Sequence, residues 1–191
     1  MKIKFDKIYT ISNFLSFFRV LLAFPVYYYV SNLNLLPEAS TVLLILYLLA
    51  YISDVLDGYF ARKFNQITEL GKIIDPLADK ILVVMTIIYF YYFGLINSIY
   101  FWIIVLRDLV IFLGGIIVTT KIGKVLPSNN LGKFTVFIIG VFIILVTIQL
   151  KTDNYLYIFF YYLSLLLSFA SIISYAYRAI NEIKRVKNEN V

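Results

Sequence analysis

Six apolar runs, each about long enough to cross a lipid bilayer, follow one another along this 191-residue chain. They cover residues 14–31, 38–62, 71–93, 97–119, 132–150 and 154–178. In hydrocarbon a run of this length becomes a helix, because each backbone N–H then finds its acceptor within its own segment. The expected fold is all-α: a polytopic membrane protein with six transmembrane helices. Composition agrees, since 62% of residues are hydrophobic and 15% charged, against roughly half and about a quarter in soluble domains. The breaks fall at Asn32, Asn34 and Pro37, at 65–68, at 94–97, at 123–130 around Pro127, and at 151–154. Residues 1–12 hold too short an apolar run before Asn13 for a signal peptide and read as an interfacial segment. Residues 179–191 read as a basic cytoplasmic tail. No internal repeat or low-complexity linker divides the chain, so a single domain over 1–191 is expected.

The basic residues orient this array. Lys2, Lys4, Lys7, Arg62, Lys63, Lys121, Lys124, Lys184, Arg185 and Lys187 all fall on one side of a six-span arrangement, with Lys151, Glu38 and Asp153 on the other. Positive-inside bias puts that side, with both termini, in the cytoplasm, and the cell membrane is the expected location. The net charge of +6 therefore belongs at anionic headgroups and implies no nucleic-acid partner. Tyr27, Tyr28, Tyr29 and Trp102 read as interfacial anchors.

Against this background two aspartate pairs stand out. Asp54 and Asp57 are three apart near the end of the second run, and Asp75 and Asp79 four apart near the start of the third. On helices each pair lies on one face. At 1.5 Å per residue Asp57 and Asp75 sit about one turn inside the cytoplasmic ends of their spans, and Asp54 and Asp79 a further turn in. Four carboxylates are thus expected to face one another at matched depth. Intramembrane acids are costly and are retained for a use. A helix-pairing salt bridge, such as Asp57 with Lys80 or Arg62, leaves more acids than nearby bases. A cation transporter usually places its site near the midplane, not at one membrane face. Clustered carboxylates are best explained by metal ions. The chain has no Cys and no His, which excludes thiol nucleophiles, histidine bases and thiolate or imidazole ligation. Hard-oxygen ligation of Mg²⁺, Mn²⁺ or Ca²⁺ remains. Two such ions can clamp a pyrophosphate, with one carboxylate oxygen left to take a proton, and the small Gly58 and Ala61 beside Asp57 and Arg62 leave room for a nucleotide.

The pattern Asp54-x2-Asp57-Gly58-x2-Ala61-Arg62-x8-Gly71-x3-Asp75-x3-Asp79 resembles the signature of the CDP-alcohol phosphotransferase family at every fixed position. Asn13-x2-Ser16-x2-Arg19 is similar to the family's N-terminal Asn-x-x-Thr-x-x-Arg element, with Ser for Thr. Leu131-Gly132-Lys133-Phe134-Thr135 resembles its Gly-Lys-x-x-Thr element, with Thr135 one residue early. The resemblance implies a six-helix homodimer in which an acceptor hydroxyl attacks the lipid-linked phosphorus of a CDP-alcohol and releases CMP. It implies that Asp54, Asp57 and Asp75 hold metal, that Asp79 shares a metal and is the base, and that two Mg²⁺ (or Mn²⁺) ions serve each site. Gly58, Ala61, Arg62 and Gly71 would line the CDP. Asp75-Pro76-Leu77-Ala78-Asp79-Lys80 is most similar to the phosphatidylglycerophosphate synthase branch and to related cardiolipin synthases. The expected substrates are CDP-diacylglycerol and sn-glycerol 3-phosphate, alongside membrane lipids. The alternatives are another acceptor, such as phosphatidylglycerol giving cardiolipin, and, outside the class, a cation transporter. An acceptor phosphate needs cations, and Arg107, Lys133 and Arg178 are the candidates, all towards the cytoplasmic side. Arg178 could equally snorkel to the interface.

Overall fold

A computed structural model of the protein describes residues 11–63, 71–122 and 129–189. Among these the regular structure is entirely helical: α1 (Ile11–Leu21), α2 (Ala23–Ser31), α3 (Ala39–Lys63), α4 (Gly71–Tyr92), α5 (Ser98–Ile122), α6 (Asn130–Thr147) and α7 (Tyr155–Glu189). Four stretches among the described residues are long and apolar enough to cross a membrane: Ala39–Leu56, Ser98–Thr120, Asn130–Thr147 and Tyr155–Val186. Phe17–Ser31 and Ile81–Tyr92 are shorter apolar stretches. The protein is thus an all-helical membrane protein, with large apolar side chains such as Tyr51, Phe112, Phe137 and Phe169 exposed along its helices. In a bilayer these meet lipid rather than water.

Two elements differ from the sequence reading. The first run, expected as one helix over 14–31, is interrupted at Leu22 between α1 and α2. Pro25 is the physical reason: it has no N–H to donate to the carbonyl of Leu21, four residues back. Helical hydrogen bonds continue on either side, Leu22 N to Phe18 O at 3.0 Å and Val26 N to Leu22 O at 3.1 Å. The last helix, expected to end near 178 before a basic tail, continues unbroken to Glu189. Residues 179–189 contain no Gly or Pro and include Ala179, Glu182, Lys184, Arg185 and Lys187, all good helix formers.

The chain forms two compact units, Met1–Leu95 and Ile96–Val191. In the first, α1 and α2 each pack against both α3 and α4. The buried positions of α3 are Ala39, Leu43, Leu46, Ala50 and Ser53. Their spacing of three and four is the stripe by which a helix docks on its neighbours. In the second unit α7 packs against α5 and α6. Small residues permit the close approach: Ser164, Ser168 and Ser171 are fully buried. Each serine hydroxyl donates to a carbonyl one turn back, at 2.7–2.8 Å. On α5, Gly114 lies under the ring of Tyr175, where a Cβ would come within 3.0 Å of Tyr175 Cε1.

Candidate active site

The aspartate motif occupies the end of α3 and the beginning of α4, with Asp54, Asp57, Gly58, Ala61 and Arg62 before the α3 terminus at Lys63, and Gly71 opening α4 ahead of Asp75 and Asp79. This is the helical placement that the spacing predicts. The side chains at Asp57, Gly58, Ala61, Arg62, Gly71, Asp75 and Asp79 lie outside the described residues, and so does the expected convergence of the four carboxylates.

Asp54 is described, and it is paired. Its Oδ1 accepts a 2.7 Å hydrogen bond from NH1 of Arg19. Arg19 stands in the last turn of α1 and is 2% exposed, while the Asp54 side chain is 48% exposed. A buried guanidinium is tolerated only when its charge and donors are met, and the C-terminal end of α1 adds a favourable dipole. The pairing corrects the sequence argument in one respect. Counting bases inside the aspartate window omitted Arg19, which lies 35 residues before Asp54, so one of the four acids does form a helix-pairing salt bridge. The available signal was a charged residue inside an apolar run, in the Asn13-x2-Ser16-x2-Arg19 element.

The donor set fits a hard divalent cation. It consists of carboxylate oxygens in a chain without His or Cys. Asp54 has one oxygen engaged by Arg19, and its second has no partner among the described residues. Among those residues no group of three or more His, Cys, Asp or Glu side chains forms, because three of the four aspartate side chains fall outside them.

The expected acceptor cations all belong to the second unit. Arg107, 5% exposed on α5, donates from NH1 to Asp108 Oδ1 at 2.5 Å, from Nε to Ser171 Oγ at 3.0 Å and from NH2 to the Gly132 carbonyl at 3.5 Å. It ties α5 to α7 and to the first turn of α6, and Asp108 offsets its charge. Asn129 caps α6: its Oδ1 accepts from Gly132 N at 2.7 Å, and its Nδ2 donates to Ser174 Oγ on α7 at 2.8 Å. A Cβ at Gly132 would sit 2.8 Å from that Oδ1, so glycine lets the Asn129 side chain come this close. Lys133 follows in the same turn and is exposed. Arg178, half-buried, lies one turn beyond Ser174 on α7. Arg107 thus reaches the first turn of α6, which carries Lys133, while Arg178 lies on α7 one turn beyond the Ser174 that Asn129 contacts.

The family model for CDP-alcohol phosphatidyltransferase matches residues 9–174. The chain is similar to a CDP-diacylglycerol--glycerol-3-phosphate 3-phosphatidyltransferase of Aquifex aeolicus, 35% identical over 133 residues, which cover 68% of this chain and 71% of that protein. A protein of the same name from Bacillus subtilis is 38% identical over 98 residues, covering 51% of this chain and 50% of the relative. One from Mycoplasma pneumoniae is 30% identical over 139 residues, covering 64% and 60%. The match thus spans only half to three-fifths of the length of two of these three relatives.

Proposed function

The chain belongs to the CDP-alcohol phosphatidyltransferase family, and on that premise we propose that it transfers the phosphatidyl group of CDP-diacylglycerol to sn-glycerol 3-phosphate. The products are phosphatidylglycerol phosphate and CMP. The observation that carries the reading is its likeness to relatives whose names state this reaction. The cations Arg107, Lys133 and Arg178, carried on α5, α6 and α7 of one compact unit, support the choice of acceptor, because a phosphomonoester carries close to two charges and favours several charge-assisted donors. With Arg107 largely offset by Asp108, Lys133 and Arg178 supply most of the attraction.

In this reading Asp54, Asp57, Asp75 and Asp79 hold two Mg²⁺ or Mn²⁺ ions. Ions so held would supply charge neutralisation at the pyrophosphate and at the attacking and leaving oxygens. Asp79 takes the proton of the acceptor hydroxyl. The hydroxyl oxygen bonds to the lipid-linked phosphorus, the bond from that phosphorus to the CMP oxygen breaks, and CMP leaves with the electron pair. Gly58, Ala61 and Gly71 admit the CDP, and Arg62 pairs with its phosphates. The protein acts as a homodimer in the cell membrane, with six spans, both termini in the cytoplasm and the site at the cytoplasmic face.

The test is CMP release by purified protein from CDP-diacylglycerol, with Mg²⁺ and a panel of acceptors: glycerol 3-phosphate, phosphatidylglycerol, serine and inositol. Release with glycerol 3-phosphate, lost in excess EDTA, is expected. Full turnover in EDTA contradicts the metal assignment. Release with phosphatidylglycerol alone makes the protein a cardiolipin synthase, and no release with any acceptor, accompanied by cation flux in vesicles, makes it a transporter.

A further inference from the structure

Arg19 is the most deeply buried charged side chain among the described residues. On α1, Phe14, Phe17 and Leu21 are exposed, so the helix has an outward face along which a long basic side chain could reach an interface. Arg19 instead points inward, to the first aspartate of the motif. The pair is asymmetric: the guanidinium is 2% exposed and the carboxylate 48%. A carboxylate gripped from behind and open in front is what a metal ligand needs. Aspartate χ2 is a broad torsion, and unsupported ligands are loosely aimed. The mount is also suited to the purpose, since α1 packs on both α3 and α4, the helices that carry the two halves of the motif.

We propose that Arg19 is a positioning residue: its guanidinium holds Asp54 by Oδ1 so that the other oxygen is presented, in a set orientation, to a divalent ion. The inference rests on the reading of Asp54 as a metal ligand. It is distinct from a purely electrostatic role, because the two move metal affinity in opposite directions. A positive charge near a cation site repels the cation, so removing a mere counter-charge would tighten metal binding. Removing a support that aims the ligand weakens it.

The experiment is Mn²⁺ binding to the full-length protein in detergent, followed by the electron paramagnetic resonance signal of free Mn²⁺. The proteins compared are the wild type, Arg19→Gln, Arg19→Lys, Asp54→Asn and the Arg19→Gln/Asp54→Asn double variant. Arg19→Gln is expected to weaken binding by at least about tenfold. Arg19→Lys should weaken it by a smaller but measurable factor, since lysine restores the charge and not the planar fork. In the Asp54→Asn background Arg19→Gln should cost clearly less than in the wild type, because the positioning acts through Asp54. Unchanged or tighter binding in folded Arg19→Gln overturns the proposal, as does a loss of equal size whether or not Asp54 is present. If Arg19→Gln does not fold, Arg19→Lys decides: wild-type binding there overturns it. Asp54→Asn separates the two levels of the argument. If the wild type binds no Mn²⁺, or Asp54→Asn binds like the wild type, the metal reading itself falls and the positioning role with it. If Asp54→Asn weakens binding and Arg19→Gln does not, only the positioning role falls.

Discussion

Asp79 has two duties in the proposed reaction, sharing a metal and accepting a proton, and the two can be separated by substitution. Asp79→Asn keeps the shape and loses the base, so turnover should fall by at least about 10²-fold while CDP-diacylglycerol still binds. Asp57→Asn should instead weaken metal-dependent nucleotide binding. Single-turnover CMP release and equilibrium binding of the donor check both, and a wild-type rate in Asp79→Asn removes the base assignment. Arg107 poses a different question, because its donors already serve Asp108, Ser171 and Gly132. Arg107→Ala should raise KM for glycerol 3-phosphate by at least about tenfold, equivalent to ~1.4 kcal/mol, with a smaller change for CDP-diacylglycerol. It should also lower the thermal midpoint, since buried partners lose their donor. Ser171→Ala is the control: it removes two hydrogen bonds, the one accepted from Arg107 and the one donated to the Ser168 carbonyl, each worth ~1 kcal/mol, and should shift the melt without moving KM. A lower midpoint with unchanged KM in Arg107→Ala assigns that residue to architecture alone.

Among the elements, α6 depends most visibly on one residue before its start. Asn129 satisfies Gly132 N and reaches α7 through Ser174. Asn129→Ala should cost ~1–2 kcal/mol from the lost cap and speed hydrogen exchange in the first turn of α6. Unchanged exchange there would show that the turn is held by other contacts. Since Lys133 rides on this turn, the same variant should weaken glycerol 3-phosphate binding. Element boundaries were legible to differing degrees. The α3 and α4 limits follow from apolar length and the polar residues Asn65, Gln66, Thr68 and Glu69 in the sequence between them. The break at Leu22 was also encoded, in Pro25, yet hydropathy alone reads 14–31 as continuous. The extension of α7 to Glu189 escaped a hydropathy reading because its last turns are polar, although their helix propensity is high.

For the whole molecule, the distribution of Lys and Arg predicts both termini and the 120–131 loop in the cytoplasm. The chain has no cysteine, so single-cysteine variants report cleanly. Asn188→Cys should react with a membrane-impermeant maleimide only after cell lysis, and Thr152→Cys in intact cells; labelling of Asn188→Cys from outside refutes the orientation. The sequence by itself determined the helical class and the position of the aspartates at the end of one helix and the start of the next, and it restricted the available metal donors to hard oxygen, since the chain has no Cys or His. Each depends on neighbours within a turn or two, or on which residue types are present at all, and apolar length and spacing carry that information directly. Tertiary structure alone decided that Asp54 meets Arg19, 35 residues away, and that Arg107 is occupied by Gly132 and Ser171, 25 and 64 residues away. Which partner a buried charge finds depends on how helices cross and which faces they bury, and that is settled by the packing of stripes such as Ser164, Ser168 and Ser171 in three dimensions.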